Sequence, residues 1–276
     1  MPLVNTITLL KRAQKQGKAV CAFNIENMDM ARAVAECAKE INAPVIIQTT
    51  YTTVNYAGAK TLRAMVAGIV SSVAGVDIAL HLDHGNSFEV CKQCADAGYS
   101  SVMIDGSRLP LEDNIALTAE VCRYAHRKGL SAEGEIGKVG GVEDGLESKV
   151  AYTDVEECIR FVRESKVDFV AVGVGTAHGE YKGKPVIDFE RIAALRNAVS
   201  APLVLHGASG LDEDTLIQCV QAGIAKINFA TELRQAYTKG VRLSLADAKV
   251  YDPKVYQAIG REEVKKVIFE KLKILQ

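Results

Sequence analysis

The chain has 276 residues, 48% apolar and 24% charged, with 33 basic against 34 acidic side chains and a formal charge of −1. That mix excludes wholesale disorder and a collagen-like chain, and the lack of a basic excess argues against nucleic acid as a partner. No run approaches the roughly 18 apolar residues that span a bilayer, MPLVNTITLLKRAQ lacks the basic-then-apolar pattern of a signal peptide, and seven scattered cysteines read as the reduced thiols of a cytoplasmic protein.

Eight short β-type runs follow one another along the chain: 19–24, 44–49, 78–83, 101–105, 130–136, 169–175, 202–207 and 226–231. Each is mostly apolar and most are rich in Val, Ile or Ala, as parallel strands covered on both faces are. Between them lie stretches with helical spacing. Met28, Ala31, Ala35 and Ala38 recur at intervals of three or four within 28–41, and further helices are expected over 86–97, 111–128, 153–165, 188–198 and 212–221. Asn86, Thr153 and Asp212 stand where caps belong, and Gly98, Gly129 and Gly223 where helices should stop. A final helical pair is expected over 231–247 and 261–275. Strand–helix alternation through eight strands, with no linker, reads as one (β/α)8 TIM barrel over residues 1–276, a single domain with extra C-terminal helices. An open doubly wound sheet fits less well, because its first strand is often followed by a glycine-rich turn and Phe23-Asn24-Ile25-Glu26 has none.

A barrel of this kind carries its chemistry at the C-terminal ends of its strands. Those ends read Asn24, Thr49-Thr50, Asp83-His84, Asp105, Glu133 with Glu135, His178 just past the sixth strand, His206 and Asn228. Burying so many polar groups is costly unless they bind something. Three of the five histidines, His84, His178 and His206, lie on three different strand ends. Three imidazoles at one mouth are the composition of a catalytic zinc site with an open fourth position; three separately hydrogen-bonded histidines are the alternative. His81, two residues before Asp83, reads as a packed interior histidine, and His126 as a surface one. The segments Gly207-Ala208-Ser209-Gly210 and Asn228-Phe229-Ala230-Thr231 follow the last two strands, where barrels often bind phosphate through backbone N–H groups. Residues 137–149, with four glycines, read either as a disordered surface loop or as a hinged lid that delivers Glu143. Cys91 and Cys94 have redox spacing but sit in a helical stretch and read as packing. Lys226 is placed at the start of the eighth strand, away from the mouth, which leaves no lysine for Schiff-base chemistry.

The chain resembles the class II, metal-dependent ketose-bisphosphate aldolases over nearly its full length. The motifs are LHLDHG at 80–85, SVMIDGS at 101–107, AEGEIGKVGGVEDG at 132–145, GTAHGEYKGKP at 175–185, VLHGASG at 204–210 and KINFATE at 226–232. GTAHG and INFATE look most like the tagatose-1,6-bisphosphate branch, whereas MPLV and HLDHG are more similar to the fructose-1,6-bisphosphate branch.

The resemblance implies a lyase that splits a ketose 1,6-bisphosphate, tagatose favoured over fructose, into dihydroxyacetone phosphate and glyceraldehyde 3-phosphate. It implies that His84, His178 and His206 hold Zn2+, that Asp83 is the acid/base at the aldehyde oxygen, and that Glu143 moves the proton on the dihydroxyacetone phosphate carbon. Gly179, Gly207, Ala208, Ser209, Asn228, Phe229, Ala230 and Thr231 match positions that bind that phosphate, beside which a monovalent cation (Na+ or K+) is often held. Asp105 and Glu135 match a second metal position of some members, and Asn24 and Thr50 are assigned to substrate binding. Val142 replaces a second glutamate of some fructose-bisphosphate enzymes. Lys254 replaces an arginine that reaches a neighbouring subunit's far phosphate, keeping the charge but losing the bidentate fork. A homodimer or homotetramer acting on a phosphosugar is expected. A metal-dependent barrel hydrolase, and a non-catalytic subunit that works with another aldolase as an accessory partner, are the competing expectations.

Overall fold

The computed structural model describes residues 3–143, 146–148, 151–181, 183 and 185–275, with the backbone alone for 142, 143 and 146–148. Eight parallel strands close into a barrel: β1 (Val20–Asn24), β2 (Val45–Thr50), β3 (Ile78–Gly85), β4 (Ser101–Ile104), β5 (Ser131–Ile136), β8 (Phe169–Val172), β10 (Leu203–Leu205) and β11 (Ile224–Phe229). Three short strands, β6 (Gly140–Glu143), β7 (Leu146–Ser148) and β9 (Ala177–His178), make a separate sheet above the mouth.

Each barrel strand sends alternate side chains inward, and the burial pattern follows. The interior holds Val20, Ala22, Ile46, Ala79, Met103, Phe169, Ala171 and Val204, closed from below by Leu9, Leu10 and Ala13 of α1 (Thr6–Lys15). The opposite parity, including Cys21, Phe23, Val45, Ile47 and Leu80, packs outward under the helices in a second, larger core. Those helices are α2 (Met28–Ile41), α3 (Tyr51–Ala57), α4 (Ala59–Ser72), α5 (Phe88–Ala97), α6 (Leu111–Arg127), α7 (Val155–Ser165), α8 (Phe189–Ala198), α9 (Glu213–Ala222), α10 (Thr231–Leu245) and α11 (Pro253–Leu275). No helix among the described residues is long and apolar enough to cross a membrane. All seven cysteines are free and buried, Cys91 and Cys94 among them on α5.

The barrel is the expected one, with local differences. Helices α1, α3 and α4 were not anticipated from the periodicity; Gly58, at φ +82°, separates α3 from α4 and interrupts the pattern there. Two caps shift by one residue. Ser87 rather than Asn86 accepts from Val90 N, and Asp154 rather than Thr153 accepts from Glu157 N, because the Thr153 hydroxyl donates to Ile136 O instead. Helix α11 begins at Pro253, well before residue 261, and carries Gly260 within it. That glycine allows a close crossing, since a Cβ on Gly240 of α10 would lie 2.8 Å from Gly260 Cα. Strand β11 starts two residues before Lys226, and the Lys226 side chain is fully buried inside the barrel, bonded to Glu133.

One break in alternation positions the site. Asp83 and His84 are consecutive, yet both face the mouth, because His84 adopts φ +47° and the β3–β4 register shifts between Leu82 and Gly85. A left-handed conformation at a non-glycine residue costs of order 1–3 kcal/mol and persists where its surroundings enforce it. Gly85 is part of that enforcement, since a Cβ there would stand 2.4 Å from Met103 O and 2.8 Å from Cys91 Sγ. Gly85→Ala is therefore expected to destabilise the protein by about 1–3 kcal/mol, measured as a lowered urea midpoint at constant slope.

Candidate metal and phosphate site

Three imidazoles meet above the barrel. The His84 ring centroid lies 5.1 Å from His178 and 4.6 Å from His206, and His178 and His206 are 5.9 Å apart. Each of the three offers a ring nitrogen within 4.8 Å of the others'. His84 Nδ1 lies 3.1 Å from Asp105 Oδ2, and His206 Nε2 lies 2.9 Å from Glu133 Oε1. These carboxylates assign the N–H to the outer nitrogens, leaving lone pairs on His84 Nε2 and His206 Nδ1. Both inner nitrogens are buried without a hydrogen-bond partner, as is Glu135 Oε2, 3.4 Å from His206 Nδ1. Unpartnered lone pairs aimed at one point fit a zinc ion with nitrogen ligands. His84, Asp105 and Glu135 form a second convergent group, so the expected second metal position is brought together too.

Asp83 lies beside the rings, accepting from Asn24 Nδ2 at 2.8 Å and Asn228 Nδ2 at 3.0 Å. Gln48 Nε2 donates to Asn24 Oδ1 at 2.7 Å and orients that amide. Asn24, Gln48, Asp83 and Asn228 share inward parity on three adjoining strands and their neighbour, which is why they meet.

Burial alone would raise the Asp83 carboxyl, but the His84 and His206 rings, Lys226 and the Asn24 donor hold it down at about 2. Burial likewise opposes charge on His84 and His206, yet the neighbouring carboxylates raise both, His206 to about 9. The field of this pocket favours positive charge among the rings, as a bound divalent cation supplies.

A cleft opens next to the rings, lined by Asn24, Asp83, His178, Gly179, Gly207, Ser209, Asn228, Ala230 and Thr231. Gly207 sits at φ +67°, with Ala177 so close that a Cβ would lie 2.6 Å from its carbonyl oxygen. Ser209 Oγ accepts from Ala230 N at 3.2 Å and ties the two loops together. Helix α10 starts at Thr231 with no side-chain cap beside the cleft that Ala230 and Thr231 line, the setting in which helix N-termini bind anions.

Four expected substrate residues stand differently. Phe229 turns its ring outward to stack on Phe23 at 5.7 Å, Ala208 is buried in the outer core, and Thr50 bonds Thr52 at 2.8 Å outside the cleft lining. Only the backbones of Phe229 and Ala208 belong to the loops around the cleft. The fourth, Lys254, is 88% exposed, pairs with Asp252 at 3.0 Å and does not line this chain's cleft.

Glu143 ends β6, and its carboxylate lies outside the described residues. The loop that carries it is organised as strands, and Gly141 is paired in register with His178. His81 is an interior histidine and His126 a half-exposed one bonded to Asp168, both as expected.

Three contributors escaped the sequence reading: Gln48, Glu133 as the partner of His206, and Tyr181. The Tyr181 hydroxyl donates to Gly207 O at 2.6 Å and accepts from Ala177 N at 3.1 Å. Parity points to Gln48, two residues before Thr50, whereas the contact of the strand-end Glu133 with His206 joins residues 73 apart along the chain.

The sequence profile of the family described as class-II fructose-bisphosphate aldolase matches residues 4–276. The 6-phospho-5-dehydro-2-deoxy-D-gluconate aldolase of Bacillus subtilis (strain 168) is 40% identical over 276 residues, covering 99% of this chain and 95% of that protein. The fructose-bisphosphate aldolase of Staphylococcus aureus (strain Mu50) is 40% identical over 277 residues, with 99% and 97% covered. Among solved structures, the YdjI aldolase from Escherichia coli K12 superimposes with a TM-score of 0.89 at 31% identity, covering 99% of this chain and 97% of that one.

Removing the Asn24 donor should raise the Asp83 pKa from about 2 toward the ordinary carboxylate value of roughly 3.9. A depressed carboxyl stabilises the fold above its unfolded pKa and loses that contribution as pH falls through the folded value. Asn24→Ala should therefore narrow the acid range of stability, and a carboxyl-carbon NMR titration of Asp83 checks the shift directly.

Proposed function

We propose, from the premise that this chain belongs to the class II fructose-bisphosphate aldolase family, that it cleaves a phosphorylated ketose reversibly into dihydroxyacetone phosphate and an aldehyde. The observation that carries this is the convergence of three imidazole nitrogens beside Asp83 and next to an uncapped helix N-terminus. His84, His178 and His206 would hold zinc, which when bound supplies Lewis-acid polarisation of the ketose carbonyl.

The chain's own groups do the rest. The backbone of Gly179, of 207–209 and of the α10 start cradles the phosphate, with Ser209 and Thr231 hydroxyls beside it. Asp83, kept ionised and fixed by Asn24 and Asn228, accepts the proton of the C4 hydroxyl as the C3–C4 bond breaks. The bonding pair stays on C3, the C4 fragment leaves as an aldehyde, and Glu143 on the β6–β7 hairpin donates the proton that completes dihydroxyacetone phosphate.

The substrates in the two relatives' names share that dihydroxyacetone phosphate half and differ in the aldehyde fragment. GTAHG and INFATE favour tagatose 1,6-bisphosphate, and the relatives' names add fructose 1,6-bisphosphate and 6-phospho-5-dehydro-2-deoxygluconate. Lys254, exposed and away from its own cleft, is assigned to a neighbouring copy's far-phosphate site in a homo-oligomer, where exposed Tyr251 and Val255 would also be covered.

Chelation of zinc is expected to abolish cleavage, and borohydride with substrate to leave activity intact. Retained turnover in metal-free protein would refute the mechanism, and kcat/KM on the three sugars identifies the substrate. Glu143→Gln should lower kcat about 10²–10⁴-fold with little change in KM, measured by coupled detection of dihydroxyacetone phosphate.

A further inference from the structure

Lys226 and Glu133 contact neither the substrate nor the three-histidine centre's inner face in the chemistry above, yet both side chains are wholly buried, 0% exposed, inside the barrel. Lys226 Nζ donates to Glu133 Oε2 at 2.8 Å, and the other oxygen, Oε1, accepts from His206 Nε2 at 2.9 Å. His81 Nε2 stands 3.2 Å from Oε2 without the alignment of a hydrogen bond. The far side of the His81 ring is fixed, with Nδ1 2.7 Å from Ser101 Oγ and that hydroxyl 2.5 Å from Thr6 Oγ1 on α1. The surrounding interior is apolar, with the Phe169 ring centroid 6.0 Å from the ammonium. Apolar side chains of similar volume often hold such a position at least as well as an ion pair does, so stability alone does not account for this one.

Its geometry does. A glutamate has two freely rotating bonds beyond Cβ, and in a roomy interior it can present either oxygen, or neither, to a neighbour. Lys226 occupies Oε2 from below and leaves Oε1 on His206 Nε2. With Nε2 carrying the shared proton, the Nδ1 lone pair faces His84 and His178. We propose that Lys226 is a positioning residue for the metal centre: by clamping Glu133 from within the barrel it fixes the tautomer and aim of His206.

The proposal rests on the three-histidine metal site described above, and its test reads metal binding rather than sugar cleavage. Lys226→Met keeps most of the stem and removes the ammonium. Because that leaves a buried carboxylate uncompensated, the double variant K226M/E133Q, which removes both charges and keeps an acceptor, is measured beside it. Metal-free thermal unfolding identifies the folded variants.

In competition with a chromophoric chelator, both variants are expected to bind zinc about 10–100-fold more weakly than wild type. The visible ligand-field bands of the cobalt-substituted proteins should shift, and kcat should fall while KM for the phosphosugar stays near the wild-type value. Wild-type zinc affinity with unshifted cobalt bands in either folded variant would overturn the proposal. Failure of the wild-type protein itself to bind zinc would instead overturn the metal site on which it rests.

Discussion

Everything in this molecule follows from the alternation of side chains on a closed ring of strands. A closed barrel has one inside and one outside, so each strand commits every second residue to the same small volume. In the lower part of that volume the residues are mostly apolar, apart from the bonded His81, Ser101 and Thr6, and α1 seals them from water. Above Lys226, which lies deeper at the level of Val20, the same parity delivers Asn24, Gln48, Asp83, Glu133, Glu135, His206 and Asn228 toward the rim. Groups buried there have little access to water, so most are satisfied by one another, while His206 Nδ1 and Glu135 Oε2 are left without a hydrogen-bond partner. The hydrogen bonds of Asp83 with two asparagines, and of Glu133 with His206 and Lys226, are the outcome.

Where the chemistry needs something that strict alternation forbids, the backbone departs from it. Asp83 and His84 cannot both face inward on a regular strand, and the left-handed His84 with the register shift beside it resolves the conflict. His178 is not on a barrel strand at all; it belongs to β9, paired with the segment that leads to Glu143. The three convergent histidines therefore come from three kinds of support: a distorted strand end, a small accessory sheet and a regular inward position. Tyr181 joins the last two, since its hydroxyl bridges the residues next to His178 and His206.

Much of this was legible in the chain. The eight apolar runs, the intervening helices and the polar residues at the strand ends pointed to a barrel with a metal mouth, and His84, His178 and His206 do converge. Elements were missed where a residue type had a tertiary rather than a local reason to be present. Gly260 stands just before the expected helix start at 261 yet lies inside α11 and permits the α10–α11 crossing, and Thr153 looks like a cap but its hydroxyl serves Ile136 O. The family resemblance assigns Phe229 and Ala208 to phosphate binding, but their side chains pack in the outer core, the Phe229 ring against Phe23.

The sequence by itself determined the architecture and the inventory of the site, because periodicity and strand-end composition are local properties of the chain. Composition also limited the partners: a near-neutral protein can still bind a phosphate when backbone amides and a bound cation do the work. Only the tertiary structure decided which nitrogen of His84 and of His206 faces the centre, since that depends on carboxylates from other strands, Asp105 for His84 and Glu133 for His206. It also moved Lys226 from an apparent strand start to the barrel interior, 2.8 Å from Glu133 and 93 residues from it along the chain. Contacts of that separation are set by barrel closure and register, and no local pattern encodes them.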